Sequence, residues 1–334
     1  MVANVHPRLP PPHRPTRTLK VLSLLAVLFF APPTDAATRY TLPHLVATYR
    51  DGDHHLTIEM SYAIPRVGMA AAGGARDVVH IEQTIAVVDT LGKNHHSSWA
   101  RPTSLPPAGT SGIRQNYVIA HDQIRLPANE YDLHVGVRDL KVRATGSFHS
   151  VCLPPGADGR FDMSDLLLAT DIQPTEERPI TRASLAIQPN PLRLYRKGEH
   201  VFVFLELYRL DRDAFGQTHF EIAYRMERPT EEEMEAELFE AMDLNPEAGD
   251  DTGTSYLVPT KHRSGVQVEK TWDGDEGQTT IATRYVGDGH SDLTYLQFDV
   301  SQLPDGIHKL AIQATDLHLG RSVEKYVLFR VLTE

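Results

Sequence analysis

Apolar and polar residues alternate with a period of two along most of this chain, in runs bounded by Pro, Gly and Asp. Leu56-Thr-Ile58-Glu-Met60-Ser-Tyr62 is one such run. Ile81 to Val88 is another, leading into the turn Asp89-Thr-Leu-Gly92. His200 to Leu210 (HVFVFLELYRL) is apolar on both faces, as a central strand requires. Phe220 to Met226, Val266 to Trp272, Thr279 to Val286 and Leu293 to Val300 follow. A period of two over short runs predicts half-buried strands, and their spacing is that of β-sandwiches.

The same pattern holds an internal repeat. Residues 122–139 (DQIRLPANEYDLHVGVRD) align without gaps onto 299–316 (DVSQLPDGIHKLAIQATD), always 177 positions apart. Asp122/Asp299, Leu126/Leu303, Pro127/Pro304, Leu133/Leu310 and Asp139/Asp316 are identical. Each copy reads as a late hairpin: a strand end, a Pro-initiated turn, and a strand with one face in a core. One more strand follows each, Phe148 to Leu153 and Val323 to Val331. Two copies predict two tandem sandwiches of related plan, immunoglobulin-like or fibronectin-like.

The expected organisation is a leader over 1–36, a first sandwich over 37–170, a linker over 171–182 (DIQPTEERPITR) and a second sandwich over 183–334. Phe161 to Ala169 reads as a short extended or one-turn segment, with Ser164 or Asp165 able to cap it. One helical insertion, about 230–244, breaks the all-β pattern. Thr230 is its N-cap and Glu233 completes a capping box, with Met234, Leu238, Ala241 and Met242 on one face and acids on the other. Gly68 to Gly74, Thr103 to Gly112 and Asn245 to Ser255 read as loops.

The first residues change the cellular setting. Arg8, Arg14, Arg17 and Lys20 precede an eleven-residue apolar run, Val21 to Ala31, which is shorter than a membrane span. Thr34-Asp35-Ala36 then offers small residues for a signal peptidase, so cleavage is predicted near Ala36 and the protein is expected in the periplasm or outside the cell. Removing 1–36 takes four basic residues and one acid from 33 Lys+Arg and 44 Asp+Glu, leaving 29 against 43 and a net charge of −14. A net anion argues against nucleic acid and against an anionic membrane surface as partner. The single cysteine, Cys152, excludes an intramolecular disulfide and reads as a small buried hydrophobe.

Candidate chemistry is sparse. His54-His55 and His95-His96 invite a metal, but adjacent strand residues point to opposite faces, so neither pair chelates within itself. Asp273-Gly-Asp275-Glu-Gly277 and Asp288-Gly-His-Ser-Asp292 have oxygen ligands for Ca2+ but the composition of hairpin turns. Trp99 and Trp272, the two tryptophans, stand beside turns, where a ring stacks on a sugar or plugs a sandwich end. No nucleophile elbow, zinc-protease motif or phosphate loop is present. We therefore assign no catalytic, cofactor-binding or metal-binding residue and expect no cofactor.

Ser164-Asp-Leu-Leu-Leu-Ala169, followed by Leu185-Ala-Ile-Gln-Pro-Asn-Pro-Leu-Arg-Leu-Tyr195 and the strand Val201 to Tyr208, resembles the central region of bacterial GWxTD-domain proteins. There an SDI-x-LA segment precedes a PNP-x-R-x-Y segment and a YFEIY-like strand. The run from Leu126 to Asp139 is similar to theirs too. The naming domain is expected to be absent, since neither Trp99 nor Trp272 sits in a matching motif. The resemblance implies export and tandem sandwiches and carries over no catalytic residue. The function expected is that of an exported, non-enzymatic envelope protein, an interaction or scaffold module binding another envelope protein or a surface polymer through loops or sheet edges. The alternatives are an extracellular carbohydrate-binding module and a hydrolase with an unrecognised carboxylate site.

Overall fold

The computed structural model describes residues 39–65, 78–104, 117–140, 144–175, 182–236, 259–262, 266–275 and 278–333. The leader and the loops expected at 68–74 and 245–255 lie outside these residues, as does most of the loop at 103–112 and the helix beyond Ala236.

The alternating runs become strands in four sheets. The first sandwich comprises β1 (Arg39–Thr41), β2 (His44–Asp51), β3 (His55–Pro65), β4 (Val78–Asp89), β5 (Asn94–Ser104), β6 (Tyr117–Pro127), β7 (Tyr131–Asp139) and β8 (Thr145–Cys152). Its sheets run β1-β8-β7-β4-β5 and β2-β3-β6. Ile58, Met60 and Tyr62 of β3 meet Ile85, Val135 and Phe148 of the facing sheet in one core. Cys152 is buried there, as expected, and burial pushes its thiol up to about 12.

The second sandwich comprises β9 (Asp162–Met163), β10 (Leu167–Pro174), β11 (Leu185–Pro189), β12 (Leu194–Arg196), β13 (His200–Tyr208), β14 (Thr218–Glu227), β15 (Pro259–His262), β16 (Val266–Asp275), β17 (Gln278–Gly287), β18 (Ser291–Asp299), β19 (Gly306–Asp316) and β20 (Arg321–Leu332). One sheet runs β11-β10-β13-β18-β15, with β9 also on β13, and the other β12-β20-β19-β14-β17-β16. The order short parallel strand, last strand, next-to-last strand and its two neighbours is shared by both sandwiches, β1-β8-β7-β4-β5 against β12-β20-β19-β14-β17.

The repeat occupies equivalent places, but it is not a hairpin. β6 and β7 lie in opposite sheets of the first sandwich, and β18 and β19 in opposite sheets of the second. Each copy is an arch that carries the chain across the core. The shared prolines start the crossing, and Leu126 and Leu303 fill the core beneath it.

The linker expected at 171–182 is not where the chain changes sandwich. β10 continues to Pro174 and pairs with β11 and β13, so the chain has joined the second sandwich by Asp162. The polar, Pro-bearing composition marks a hairpin connection within one sheet; residues 176–181 lie outside those described. The segment 161–169 is extended rather than helical. Ser164 holds the Glu206 backbone twice, its N donating to the Glu206 carbonyl at 2.8 Å and its side-chain Oγ accepting from the Glu206 N at 2.9 Å.

The helix forms as expected over α1 (Glu231–Ala236). The Thr230 N donates to Glu233 Oε2 at 2.9 Å and the Glu233 N to Thr230 Oγ1 at 3.2 Å, a complete capping box. Glu233 also accepts from Lys309 Nζ at 2.7 Å, which fastens the cap to β19.

β8 runs toward one end of the molecule, and the antiparallel pairing of β9 and β10 with β13 sends the chain back alongside it. The second sandwich therefore packs beside the first, and β3 and β13 are each buried on both faces. On β13, Val201, Val203, Leu205 and Leu207 enter the second core, while Phe204 meets Tyr49 and Tyr208 meets Arg50 of the first sandwich. On β3, Thr57, Glu59, Ser61 and Ala63 form the seam. Alternation in the sequence predicts a solvated polar face for β3. The structure corrects this: the second sandwich covers it.

Candidate functional site

Two places concentrate polar chemistry: the seam and one end of the molecule. In the seam, Leu45, Ala47 and Tyr49 of β2 join the second core, with the Tyr49 and Phe204 rings 5.7 Å apart. Glu59 is only 3% exposed; it pairs with the Arg182 guanidinium and accepts from Gln123 Nε2 at 3.4 Å. That guanidinium lies over the Phe204 ring, 5.2 Å from its centre. Burial pushes the neighbouring Glu206 carboxyl up to about 7, against the lowering effect of the Tyr208 hydroxyl and Arg182. Tyr208 Oη donates to Glu206 at 2.6 Å and accepts from the Arg50 N at 3.1 Å. A raised carboxyl beside a second one is what a general acid needs. Here the Tyr49 and Phe204 rings and the Arg182 guanidinium pack around the buried Glu59 between the sandwiches. The cluster is a polar clasp between domains.

Ser164 and Asp165, within the segment that carries the family resemblance, belong to the same clasp. Asp165 accepts from the Thr48 N at 3.0 Å, from Thr48 Oγ1 at 2.6 Å and from Lys325 Nζ at 2.8 Å, tying β2 to β20.

The second place is the end at which both sandwiches present their turns. Arg209 Nη2 meets Asp53 at 2.9 Å, and Arg50 Nη1 donates to the carbonyls of Pro155 and Gly156 at 3.0 and 2.8 Å. Arg209 is held at a φ of 61°, a left-handed conformation unusual for a side-chain-bearing residue. These contacts bring the turn 51–54, the arch 128–130 and the connection 153–161 beside the loops 209–217 and 287–290.

Two turns at this end are copies of one motif. In Asp89-Thr-Leu91-Gly-Lys93 the Asp89 Oδ1 accepts from the N of Leu91 at 3.0 Å and of Lys93 at 2.9 Å. In Asp213-Ala-Phe215-Gly-Gln217 the Asp213 Oδ1 accepts from the N of Phe215 at 2.8 Å and of Gln217 at 2.9 Å. Gly92 and Gly216 take φ of 78° and 79°, which the tight reversal demands. Six residues after each aspartate a histidine meets its other oxygen: His95 Nε2 at 3.9 Å and His219 Nε2 at 3.0 Å. The backbone and imidazole contacts hold the Asp213 carboxyl below its usual range. Both turns thus hold an apolar side chain outward on a fixed support, and Leu91 and Phe215 are each 89% exposed. Leu153, Leu317 and Leu319 are further exposed apolar residues at this end. The turn Asp89–Gly92 is legible in the sequence; its counterpart is not, because the two share only Asp, Gly and His at fixed spacing.

The sequence candidates for metal binding separate. His54 and His55 lie at the β2–β3 turn, and His95 serves Asp89. Asp288 uses its carbonyl, accepting from Arg212 Nη2 at 2.6 Å, and His290 Nδ1 donates to the Leu210 carbonyl at 2.9 Å. Residues 276–277 and the side chains of His96, Trp99, Trp272, Asp273 and Asp275 lie outside those described. Among the described residues no three His, Cys, Asp or Glu side chains converge to hold a metal ion, and no helix is long and apolar enough to cross a membrane.

No family model and no curated protein matches this chain. Similar solved structures include the C-terminal domain of the Streptococcus agalactiae AgI/II polypeptide BspA, 8% identical, covering 82% of this chain and 92% of that one at a TM-score of 0.25. The collagen adhesin CNA from S. aureus is 9% identical over 89% of this chain and 95% of its own, at 0.21. The major pilin SpaD from Corynebacterium diphtheriae is 10% identical over 79% and 62%, at 0.21. Likeness at this level carries no argument about function, so the functional reading rests on the residues of this chain.

Proposed function

We propose that this is an exported, non-enzymatic envelope module of GWxTD-like tandem sandwiches, which docks another envelope protein or a surface polymer through the end bearing Leu91 and Phe215. The observation that carries the reading is the matched pair of turns. An apolar side chain on a mobile loop can fold back onto the surface; these two are held outward by hydrogen bonds that fix the backbone. Burying one such side chain at an interface is worth about 1.5–3 kcal/mol, and a preorganised support spares the ordering cost that weakens flexible contacts. Export rests on the leader sequence, and the acidic balance of the chain favours a partner that is not an anionic surface.

The test is a photo-crosslinking amino acid placed at Leu91, at Phe215, or at the mid-strand Tyr326, in the exported protein in intact cells. The first two positions are expected to trap the same discrete adduct and the third to trap none. Equal yield from all three, or no adduct from either turn, contradicts the reading.

A further inference from the structure

Among the described residues β6 is an open edge, pairing with β3 alone. The bond from the Ala128 N to the His54 carbonyl, 2.8 Å, fixes which of its backbone groups are used. Bonded and non-bonded pairs alternate along antiparallel strands. Counting back from Ala128, the even-numbered residues of β6 bond to β3, and Ile119, His121, Gln123 and Arg125 turn their N–H and C=O groups outward. Pro127, which has no N–H, falls in the outward set, where a proline is tolerated. The four outward residues are exposed, so the second sandwich stops short of this edge. The opposite edge of the sheet is occupied: the outward N–H groups of Thr48 and Arg50 on β2 are taken by Asp165 and Tyr208. In the second sandwich the edge equivalent to that of β6 is filled. There β18 carries β15, with Lys261 opposite Gln297 and His262 opposite Leu296. The 177-residue offset maps those two β18 positions to Ala120 and Ile119.

We propose that two copies of this chain join edge to edge through β6, antiparallel about a two-fold axis at His121, in one continuous sheet. An exposed, regular edge is a template for strand addition, and a two-fold contact must be self-complementary. In this register outward residues meet outward residues: Ile119 stands opposite Gln123 of the second copy, and His121 opposite its own counterpart. Arg125 faces Tyr117 and Asp122 faces Ala120, so no like charges oppose each other, which would destabilise the pairing. Val118 faces Ile124; both pack against the first core, and their contact extends that apolar layer. The Asp122 carboxylate is turned into its own sandwich, where Oδ2 accepts from Tyr62 Oη at 2.9 Å and from Gln83 Nε2 at 2.6 Å. The contact uses neither Leu91 nor Phe215 and is independent of the docking role.

The experiment is sedimentation equilibrium of the purified protein, with a short bismaleimide on cysteine variants as a second readout. Wild type is expected to fit a monomer–dimer equilibrium. His121→Asp places two carboxylates opposite each other on the axis and is expected to weaken the dimer by at least about tenfold. L91S/F215S is expected to leave it unchanged. Cys152 is buried, so the reagent reports introduced thiols. H121C is expected to give a covalent dimer and Q123C none, because position 123 faces position 119 of the second copy. His121 is exposed and its backbone lies outside the ladder to β3. The variants therefore keep their fold, and the H121C crosslink decides the matter if H121D does not. A monomer at every concentration, an H121D dimer as tight as wild type, loss of the dimer in L91S/F215S, or equal crosslinking at 121 and 123 overturns the proposal.

Discussion

Tyr131 and His308 hold the same place in the two sandwiches, and each reaches back four residues to the carbonyl of a proline. Tyr131 Oη donates to the Pro127 carbonyl at 2.8 Å, and His308 Nε2 to that of Pro304 at 2.9 Å. The first is the tyrosine corner of immunoglobulin-type sandwiches; the second does the same work with an imidazole. Both clamp the arch at which the chain crosses from one sheet to the other.

Tyr131→Phe removes the donor and leaves the rest of the ring in the core. Urea unfolding is expected to show a loss of about 1 kcal/mol. An unchanged midpoint removes the corner from the stability of the first sandwich.

His308 gives the second corner a pH dependence that Tyr131 lacks. Burial depresses its folded pKa below the usual 6.5, although the Pro304 bond opposes this. The unfolded chain therefore binds its proton first, and the stability present above pH 6.5 is lost as pH falls toward the folded value. His308→Tyr is expected to remove this component of acid destabilisation. An identical stability–pH curve for the variant contradicts the assignment.

Glu206 works in the opposite direction. Its folded pKa is raised from 4.5 to about 7, so the folded protein keeps a proton that the unfolded chain releases. Stability is then highest below pH 4.5 and declines as pH rises through 7, by at most about 3 kcal/mol. Glu206→Gln retains an acceptor for Tyr208 and is expected to flatten the curve in that window. A curve that keeps its slope shows that the clasp is not strained by ionisation.

Arg182→Ala leaves the Glu59 carboxylate buried without its cation. Breaking one side of such a pair costs about 3–5 kcal/mol, and here the contact over Phe204 is lost as well. The double change E59Q/R182M is expected to recover most of the loss in thermal unfolding. A double variant as unstable as the single one contradicts a pairwise origin.

Asp213→Ala removes the oxygen that receives the N–H groups of Phe215 and Gln217. Hydrogen exchange at 214–217 is expected to accelerate although the Phe215 side chain is retained, so adduct formation at the tip is expected to fall. Unaltered exchange there contradicts the claim that this aspartate fixes the turn.

Alternation reveals strands, and the repeat revealed a shared plan, because side-chain direction along one strand is a local property. The seam was not legible for the same reason. Thr57, Glu59 and Ser61 read as a solvated face, and only the return of the chain at 153–163 covers them. His200 to Leu210 did carry a hint, since a strand apolar on both faces must be covered twice; the sequence does not say that the second cover is another domain. The boundary between the sandwiches is not legible, because a polar, proline-bearing stretch serves equally as a linker or as a hairpin connection. The twin turns are not legible because they share only Asp, Gly and His at fixed spacing, and the exposure of Leu91 and Phe215 is set by the fold.

The central claim, docking through the turn-bearing end, is tested most directly by comparing partner capture from envelope extract at native salt by wild type and by L91S/F215S. Both side chains are 89% exposed, so the double variant keeps its fold and its thermal midpoint. The expected result is a discrete partner recovered by wild type and lost, by at least about tenfold, with the double variant. Equal recovery by both proteins contradicts the claim.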